Sequence, residues 1–332
     1  MIKRTIEISQ QPVHLTVRNE QLLVLAKKGV PRALPAEPEG LLASIPCEDI
    51  GVVLIEEQGT TYSHAALTTL LKYDAAVVIC GRNHLPAGLL LPFGEHTEVV
   101  WRIHDQLAVK KPLQKQLWRQ LVQAKIRAQA ANLPPESAIR SRLLGLARQV
   151  RSGDPSNVEA QAARAYWSVL FQNGGPAPDW PVFHRDSDAD GLNALLNYGY
   201  AVVRAAVARA IVSAGLLPAL GIHHANRSNA FCLADDLIEP LRPLVDARVR
   251  ALHESGETEL NPGSKAELLK VLTAELRVGD QTGPLMVALH RLIASLVRCF
   301  EGSAKQLDIP VACVAGAPAA TAPCPDKGHF DS

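Results

Sequence analysis

The chain has 332 residues, 47% of them hydrophobic and 20% charged, which is the composition of a globular protein long enough for two domains. Its net charge of +1 does not by itself indicate a nucleic-acid partner, so the local distribution of charge matters more. The most apolar stretch, residues 201–222, contains Arg204, Arg209 and Pro218. It predicts a buried helix and turn rather than a membrane span.

The six cysteines are scattered, and none forms a Cys-x-x-Cys pair, so the sequence does not predict a structural zinc site. The first residues, Met-Ile-Lys-Arg-Thr, contain no apolar export-signal core. Together these features predict a cytoplasmic protein with reduced thiols.

The first hundred residues predict a β-rich domain. Alternating and β-branched residues predict strands at residues 2–8, 13–17, 22–25, 50–55 and 76–80. The pair Asn19-Glu20 predicts a hairpin turn between the second and third of these strands. Residues 63–72 predict a helix with Ser63 as its N-cap. Residues 86–94, rich in proline and glycine, predict irregular chain.

From about residue 105 the apolar period becomes helical. Helices are predicted at residues 112–126, 139–150, 154–171, 192–214, 229–252, 265–277 and 284–300. Pro112 suits a first helical turn, and Asp154-Pro155 fits a cap followed by proline. The predicted fold class is therefore α+β, with a small β-rich domain at residues 1–100 and a larger all-helical domain at residues 101–314. The Ala- and Pro-rich residues 315–332 are predicted to be disordered.

Glu159 is the first unusual residue, because it shares a helical face with apolar residues of its predicted helix. Burying an ionised carboxylate is costly unless a cation or strong donors meet it. A metal ion would satisfy it. So would a buried Arg, or the helix dipole if the side chain reaches solvent in the first turn. From this helix alone, pairing with an Arg or escape to solvent is favoured over a metal ion.

The second candidate site lies at residues 221–246. Two adjacent histidines, His223 and His224, precede a helix whose one face collects acidic residues: Asp235 or Asp236, Glu239 and Asp246. Imidazole with carboxylates suits Mn²⁺ or another transition ion, and carboxylates with water also suit Mg²⁺. Neighbouring histidines point in different directions, so one ligand is expected. The alternative is a surface ion pair with Arg242.

Basic residues are concentrated between residues 101 and 151, where only Asp105 and Glu136 are acidic. Such a run usually forms a solvated helix face. In a protein of nearly zero net charge, one this one-sided predicts a surface for DNA phosphates. The candidate DNA-binding residues are Lys110, Lys111, Lys115, Arg119, Arg140 and Arg142, together with Arg242 beside the acidic helix.

Three segments carry a resemblance to a known family. Residues 193–200 (NALLNYGY), 214–224 (AGLLPALGIHH) and 237–246 (LIEPLRPLVD) resemble the Cas1 family of CRISPR-associated endonucleases and integrases. Residues 159–167 look like its first active-site helix, and the match extends from the start of the chain to about residue 314. The motifs are specific in combination because they occur in order with suitable gaps. Their wording is most similar to family members of type II systems.

The resemblance implies a β-rich amino-terminal domain that dimerises and a helical catalytic domain. It implies a homodimer that works with the smaller subunit Cas2, and with the nuclease Cas9 in type II systems. The implied activity is antiviral: short double-stranded DNA is captured and inserted into a CRISPR array by transesterification, with Mn²⁺ or Mg²⁺. Carried onto this sequence, the catalytic metal ligands are Glu159, His224 and Glu239, and Asp236 is a second acidic position.

Two departures from the family pattern bear on this site. Pro240 and Pro243 remove backbone donors, so the acidic helix is predicted to kink. Phe231 and Cys232 stand in a stretch where the family more often has serine and leucine, which puts a polar contact in doubt. A non-catalytic DNA-binding scaffold and an unrelated hydrolase of small phosphate esters are the alternatives. Retention of all three ligands argues against the first, and the basic run argues against the second.

Overall fold

A computed structural model of the chain describes residues 3–27, 40–82, 86–92, 97–172, 183–186 and 189–313. Its amino-terminal part contains the strands β1 (Arg4–Ile8), β2 (Val13–Arg18), β3 (Gln21–Ala26), β4 (Leu41–Pro46), β5 (Ile50–Ile55), β6 (Thr61–Tyr62), β7 (Ala76–Cys80) and β8 (Pro86–Leu90). Helix α1 (His64–Lys72) is capped by the Ser63 hydroxyl, which accepts a hydrogen bond from the Ala66 N–H, as predicted. The residues of β8 were wrongly predicted to be irregular.

The strands form two four-stranded sheets. One has the order β4-β3-β2-β6, and its β2–β3 hairpin turns at Asn19 and Glu20, whose φ angles of 49° and 59° confirm the predicted turn. The other has the order β1-β5-β7-β8, with β1, β5 and β7 parallel and β8 antiparallel at the edge. Pro86 begins this edge strand, a position where a proline is tolerated in a sheet.

The β1-β5-β7-β8 sheet belongs to two hydrophobic cores at once. Val53 and Val77 on one face pack with α1 and the neighbouring sheet. Val52, Leu54 and Val78 on the other face belong to the core of the helical part. A buried ion pair between Glu56, which follows β5, and Lys265 adds a polar link between the two parts. The β-rich and helical parts are therefore packed against each other through a shared sheet.

The helical part contains α2 (Val99–Ala108), α3 (Lys111–Ala131), α4 (Ala138–Gln149), α5 (Val158–Trp167), α6 (Leu192–Ser213), α7 (Cys232–Ile238), α8 (Arg242–Glu254), α9 (Pro262–Leu269) and α10 (Leu285–Phe300). Helix α6 lies at the centre, in contact with α7, α8, α9 and α10. Within the described part of the chain it has the length and composition of a membrane span, but 78% of its most apolar window is buried, as expected of a core helix. A Cβ at Gly199 would lie 2.4 Å from Val245 Cγ1, so glycine allows α6 and α8 to cross closely.

Two predictions for the helical part need correction. It is not all-helical, because β9 (Glu275–Val278), β10 (Gln281–Pro284) and β11 (Val311–Ala312) form an antiparallel sheet in the order β10-β9-β11. The helix predicted at residues 265–277 ends at Leu269, and alternating burial in β9 follows a strand period instead. The predicted tail, residues 315–332, lies outside the described residues.

The predicted kink in the acidic helix is confirmed. A 3₁₀ turn at Glu239–Leu241 separates α7 from α8, with Pro240 in that turn and Pro243 in the first turn of α8. Glu239 lies in this kink, at the junction between α7 and α8, and its side chain is buried.

Candidate active site

Glu159 is held at the start of α5 by a residue five positions earlier. Asp154 adopts a left-handed conformation with φ of 46°, and its two carboxylate oxygens accept hydrogen bonds from the N–H groups of Val158 and Glu159, both at 2.9 Å. The helix was predicted to begin at Asp154 and reach Phe171, whereas it runs from Val158 to Trp167. Asp154 therefore fixes the backbone at Glu159, whose side chain remains 29% exposed.

A buried lysine joins two of the predicted metal ligands. The Lys125 ammonium on α3 lies 2.5 Å from Glu159 Oε1 and 2.5 Å from Glu239 Oε2. Its side chain is only 10% exposed. Burial lowers the pKa of Lys125, but the two carboxylates outweigh burial and raise it, so the ammonium stays charged. Lys125 lies within the basic run at residues 101–151 but was not among the candidate DNA-binding residues, and its charge faces these two carboxylates.

Glu239 is the most enclosed of the predicted ligands. Arg242 Nε donates a hydrogen bond to Glu239 Oε1 at 2.9 Å, and the Arg242 guanidinium lies 4.6 Å from the centre of the Tyr200 ring. Burial alone would raise the pKa of Glu239, but Lys125 and Arg242 outweigh it and hold the pKa at about 2. Glu239 is therefore ionised throughout the neutral range. Its Oε2 atom is buried and accepts no well-aligned hydrogen bond, although the Lys125 ammonium is close.

Asp236 organises the histidine loop from a fully buried position. Its Oδ2 accepts hydrogen bonds from the backbone N–H groups of Ile222 at 2.5 Å and His223 at 2.9 Å. Its Oδ1 accepts the His224 N–H at 3.2 Å and pairs with His224 Nδ1 at 2.7 Å. A Cβ at Gly221 would lie 2.3 Å from the His224 carbonyl oxygen, so glycine is needed for the loop to close around Asp236.

The hydrogen bond that His224 Nδ1 donates to Asp236 raises the pKa of His224, although burial opposes this. Because Nδ1 faces Asp236, the imidazole would bind a ligand through Nε2. A ring nitrogen held by a carboxylate in this way is the usual arrangement of a metal-binding histidine. Asp236 is therefore a positioning residue: it contacts Nδ1 of His224 and leaves Nε2 to bind a ligand.

Trp118 on α3 supports both histidines. Its ring stacks on His223 with centroids 4.1 Å apart, and it meets the His224 ring edge-on at 5.7 Å. The two imidazole planes are 84° apart, so the adjacent histidines do point in different directions, as predicted. Burial lowers the pKa of His223. The stack holds His223 as a neutral ring beside the site and leaves His224 as the candidate ligand.

The donor set at this site fits a divalent ion in its chemistry. Two carboxylates surround a common cation, and one of them has a buried oxygen that lacks a well-aligned donor. The His224 imidazole is oriented by Asp236, and the charge of Glu239 also acts on it. Such donors suit Mn²⁺ or Mg²⁺. Among the described residues, no three His, Cys, Asp or Glu side chains converge with metal-ligand geometry. The Lys125 ammonium lies between the two carboxylates instead.

Comparison with known proteins identifies the family. A family model described as CRISPR associated protein Cas1 matches residues 6–275. The chain belongs to the Cas1 family. The CRISPR-associated endonuclease Cas1 of Neisseria meningitidis serogroup C (strain 8013) is 39% identical over 284 residues, which are 84% of this chain and 90% of that protein. The family prediction made from the sequence motifs is thereby confirmed.

Solved structures share the fold of this Cas1 chain. A structure titled "Casposase bound to integration product" has a TM-score of 0.73 and 20% identity, and the match covers 93% of both chains. A "Cas6-RT-Cas1--Cas2 complex" has a TM-score of 0.70 and 18% identity, covering 92% of this chain and 36% of that one. At these identities the likeness shows the fold alone.

The remaining acids of the predicted acidic face have other roles in this Cas1 chain. Asp235 pairs with Arg204, whose Nε lies 2.5 Å from Asp235 Oδ1, and not with Arg242, which pairs with Glu239 instead. Asp246 is buried and accepts a hydrogen bond from the Tyr200 hydroxyl. Burial raises the pKa of Asp246 to about 7, against the opposing effect of its tyrosine partners. The acidic face therefore contributes Glu239 and Asp236 to the site and places Asp235 and Asp246 elsewhere.

Most of the predicted DNA-binding residues are exposed. Lys110, Lys111, Lys115, Arg119 and Arg142 are exposed on or beside α3 and α4. Lys115 and Arg119 flank Trp118 along α3, which brings positive charge close to the histidine loop.

The two remaining basic residues form hydrogen bonds within the protein. Arg140 donates a hydrogen bond to the Leu133 carbonyl oxygen at 2.9 Å, and Arg242 is bound to Glu239. A cleft of about 220 Å³ lined by Gln106, Leu107 and His224 opens beside the histidine loop.

Sequence reasoning missed Lys125, Trp118 and the position of Asp154 relative to its helix. The signal for the first two was present. Trp118 and Lys125 lie on the same stripe of α3 as Leu121 and Val122, so the helical spacing predicts that both face inward. A charged residue on an apolar stripe is the same anomaly that singled out Glu159, and it points to an opposite charge nearby.

Proposed function

We propose that this chain is a metal-dependent DNA endonuclease and integrase that inserts short captured DNA into a CRISPR array by transesterification. The observation that carries the proposal is the meeting of Glu159 and Glu239 around one buried cation, although they are far apart in the chain. His224, oriented by Asp236, would add an imidazole to this site. Its family membership and the endonuclease name of its Neisseria relative support the same activity.

In strand transfer, the 3′ oxygen of the captured DNA bonds to a phosphorus atom of the target strand. The bond from that phosphorus to the target's own 3′ oxygen breaks, and the proton lost by the attacking hydroxyl is balanced by the proton taken up by the leaving oxygen. Glu159, Glu239 and His224 Nε2 would hold Mn²⁺ or Mg²⁺. When bound, the ion supplies Lewis-acid polarisation of the phosphate.

The other residues of the site bind and orient. Asp236 keeps His224 in one tautomer and one direction through the Nδ1 contact and the backbone N–H groups of the loop. The exposed Lys115 and Arg119 would contact phosphates of the duplex without reading bases. Recognition would therefore depend on DNA shape and ends.

The partners we propose follow from the family. They are double-stranded DNA, a second copy of this chain joined through the amino-terminal domain, and the small Cas2 subunit, with Cas9 added in a type II system. One structural neighbour is a complex that contains Cas2, and another is a casposase bound to an integration product, which supports DNA and Cas2 as partners. The proposed location is the cytoplasm, where CRISPR arrays and invading DNA are found.

A non-catalytic DNA-binding scaffold is the alternative of a different class. It would have no reason to keep Glu159 and Glu239 gathered in a buried cluster, since burying carboxylates is costly. The presence of His224, with its Nδ1 fixed by Asp236, also favours catalysis.

The test is a strand-transfer assay on purified Glu159→Ala and His224→Ala proteins, with a fluorescent duplex, a supercoiled array plasmid and Mn²⁺ or Mg²⁺. We expect both variants to be folded dimers that transfer no strand, because each lacks one proposed ligand. Glu267→Ala is the matched control, since Glu267 forms an ion pair with Lys270 at the surface. Wild-type rates in either active-site variant would refute the assignment.

A further inference from the structure

We propose that Lys125 is a built-in counterion that occupies the space between the two metal-binding carboxylates and leaves it when a divalent ion binds. The proposal rests on the function proposed above. It assigns to this lysine a role in setting metal affinity and in keeping the metal-free site assembled.

The geometry makes the ammonium and a metal ion alternatives. Lys125 Nζ lies 2.5 Å from one oxygen of Glu159 and 2.5 Å from one oxygen of Glu239, so it fills the gap between them. A divalent ion bridging these oxygens would need contacts of about 2.1 Å to each and would stand where the ammonium stands. Both cations cannot bind the same pair of oxygens, so the side chain of Lys125 must move away.

Charge explains why a cation is there before the metal. Glu239 is buried and has Arg242 as a second partner, whereas the ion pair described for Glu159 is with Lys125. Two carboxylates held close together without a cation would repel each other, and burial strengthens that repulsion. Lys125 therefore stabilises the assembled but metal-free site, and its displacement subtracts from the free energy of metal binding.

The path for displacement is open on one side. Glu159 is partly exposed at the start of α5, while Glu239 is enclosed by α3, α7 and α8. The long, flexible lysine side chain can swing towards the exposed Glu159 side without disturbing the helices. On that side its charge would remain near the place where DNA phosphates approach.

The experiment measures Mn²⁺ binding by calorimetry and melting temperature with and without Mn²⁺, using full-length protein. The variants are Lys125→Met, which removes the charge, and Lys125→Gln, which keeps hydrogen-bond donors for the carboxylates and is the fallback if the first variant does not fold. Lys270→Met is the matched control, because Lys270 also lies 2.5 Å from a carboxylate, that of Glu267, but at the surface.

We expect Lys125→Met to bind Mn²⁺ about tenfold more tightly than wild type, which corresponds to about 1.4 kcal/mol of competition removed. Its melting temperature without metal should fall, and the increase on adding Mn²⁺ should exceed that of wild type. Lys125→Gln should show the same directions with smaller changes, and Lys270→Met should match wild type in Mn²⁺ affinity.

Equal or weaker Mn²⁺ binding by a folded Lys125 variant would overturn the proposal. The proposed function would survive that result if wild type binds Mn²⁺ and Glu159→Gln does not. If wild type and all variants fail to bind Mn²⁺, both the metal site and the counterion role are refuted. The two ideas therefore fail in different ways.

Discussion

Replacing Asp236 by asparagine tests whether this residue positions His224 or itself binds the metal. The carboxylate of Asp236 accepts hydrogen bonds from three backbone N–H groups and pairs with His224 Nδ1. Asparagine keeps one of the two oxygens and turns an NH₂ group towards the donors that faced the other. Two donors that face this buried carboxylate therefore lose their acceptor.

The size of the effect follows from these contacts. A hydrogen bond to a charged acceptor contributes about 1.5–3 kcal/mol, so the loss of two costs about 3–6 kcal/mol. That is a large share of the roughly 5–15 kcal/mol by which a folded protein is stable. We expect Asp236→Asn to fold but to melt about 5 °C or more below wild type.

Activity should fall by a different route. Without the carboxylate, His224 is no longer held in one tautomer, and losing such support reduces metal affinity or rate roughly ten- to a hundredfold. Raising the Mn²⁺ concentration should recover part of the strand-transfer rate of Asp236→Asn. Glu239→Gln loses a proposed ligand and should stay nearly inactive at every Mn²⁺ concentration.

The assay titrates Mn²⁺ against strand-transfer rate for both variants, with melting curves as the check on folding. If Asp236→Asn is inactive throughout and Glu239→Gln is rescued, the roles are reversed and the proposed ligand set is wrong. If Asp236→Asn melts like wild type, the hydrogen bonds to the loop do not have the strength assigned to them.

Two further predictions concern the DNA-binding surface and the buried Asp246. Duplex affinity should fall steeply with salt and vary little with DNA sequence, because exposed basic side chains such as Lys115 and Arg119 would neutralise phosphates. Each neutralised phosphate should add about 0.9 to the slope of log affinity against log salt concentration. Binding unaffected by salt would show that this surface faces another partner. For Asp246, burial raises the pKa from 3.8 to about 7, so the folded state retains a proton that the unfolded state loses, and stability should fall as the pH rises from about 4 to about 7 and then level off. This fall in the free energy of unfolding should be at most about 4 kcal/mol, and Asp246→Asn should not show it. If the melting temperatures of wild type and Asp246→Asn change with pH in the same way from pH 5 to pH 8, the prediction is contradicted.

The elements that could be predicted from the sequence have local causes. Strands β5 and β7 are short runs rich in β-branched residues, α3 begins with proline in its first turn, and the prolines at 240 and 243 break the acidic helix. Strand β9 was missed although it forms a tight hairpin with β10 across Gly279-Asp280; its other partner, β11, lies more than thirty residues later in the chain. Its four residues were therefore assigned to the helix before them.

The candidate site shows the same division. Glu159, His224, Glu239 and Asp236 could be proposed from motifs, since each lies in a recognisable stretch. Lys125 was missed, because its membership in a long basic run suggested a solvated surface although it lies on the apolar stripe of α3. The packing of α3 against α5 and the 3₁₀ turn after α7 shows which carboxylates this charge meets. Asp154 was recognised as a cap, but its reach of four and five residues depends on left-handed backbone at Asp154 and Asn157.

The sheet that serves both hydrophobic cores limits how the molecule can move. A hinge between the β-rich and helical parts would have to separate Val52, Leu54 and Val78 from the helices and break the buried pair of Glu56 and Lys265. Each of these changes costs free energy, so the two parts should move as one rigid body. Any partner that grips the amino-terminal sheets would then fix the position of Glu159 and His224 in space. In the proposed homodimer, the distance between the two candidate sites would therefore be fixed by the assembly and would not depend on any DNA that it binds.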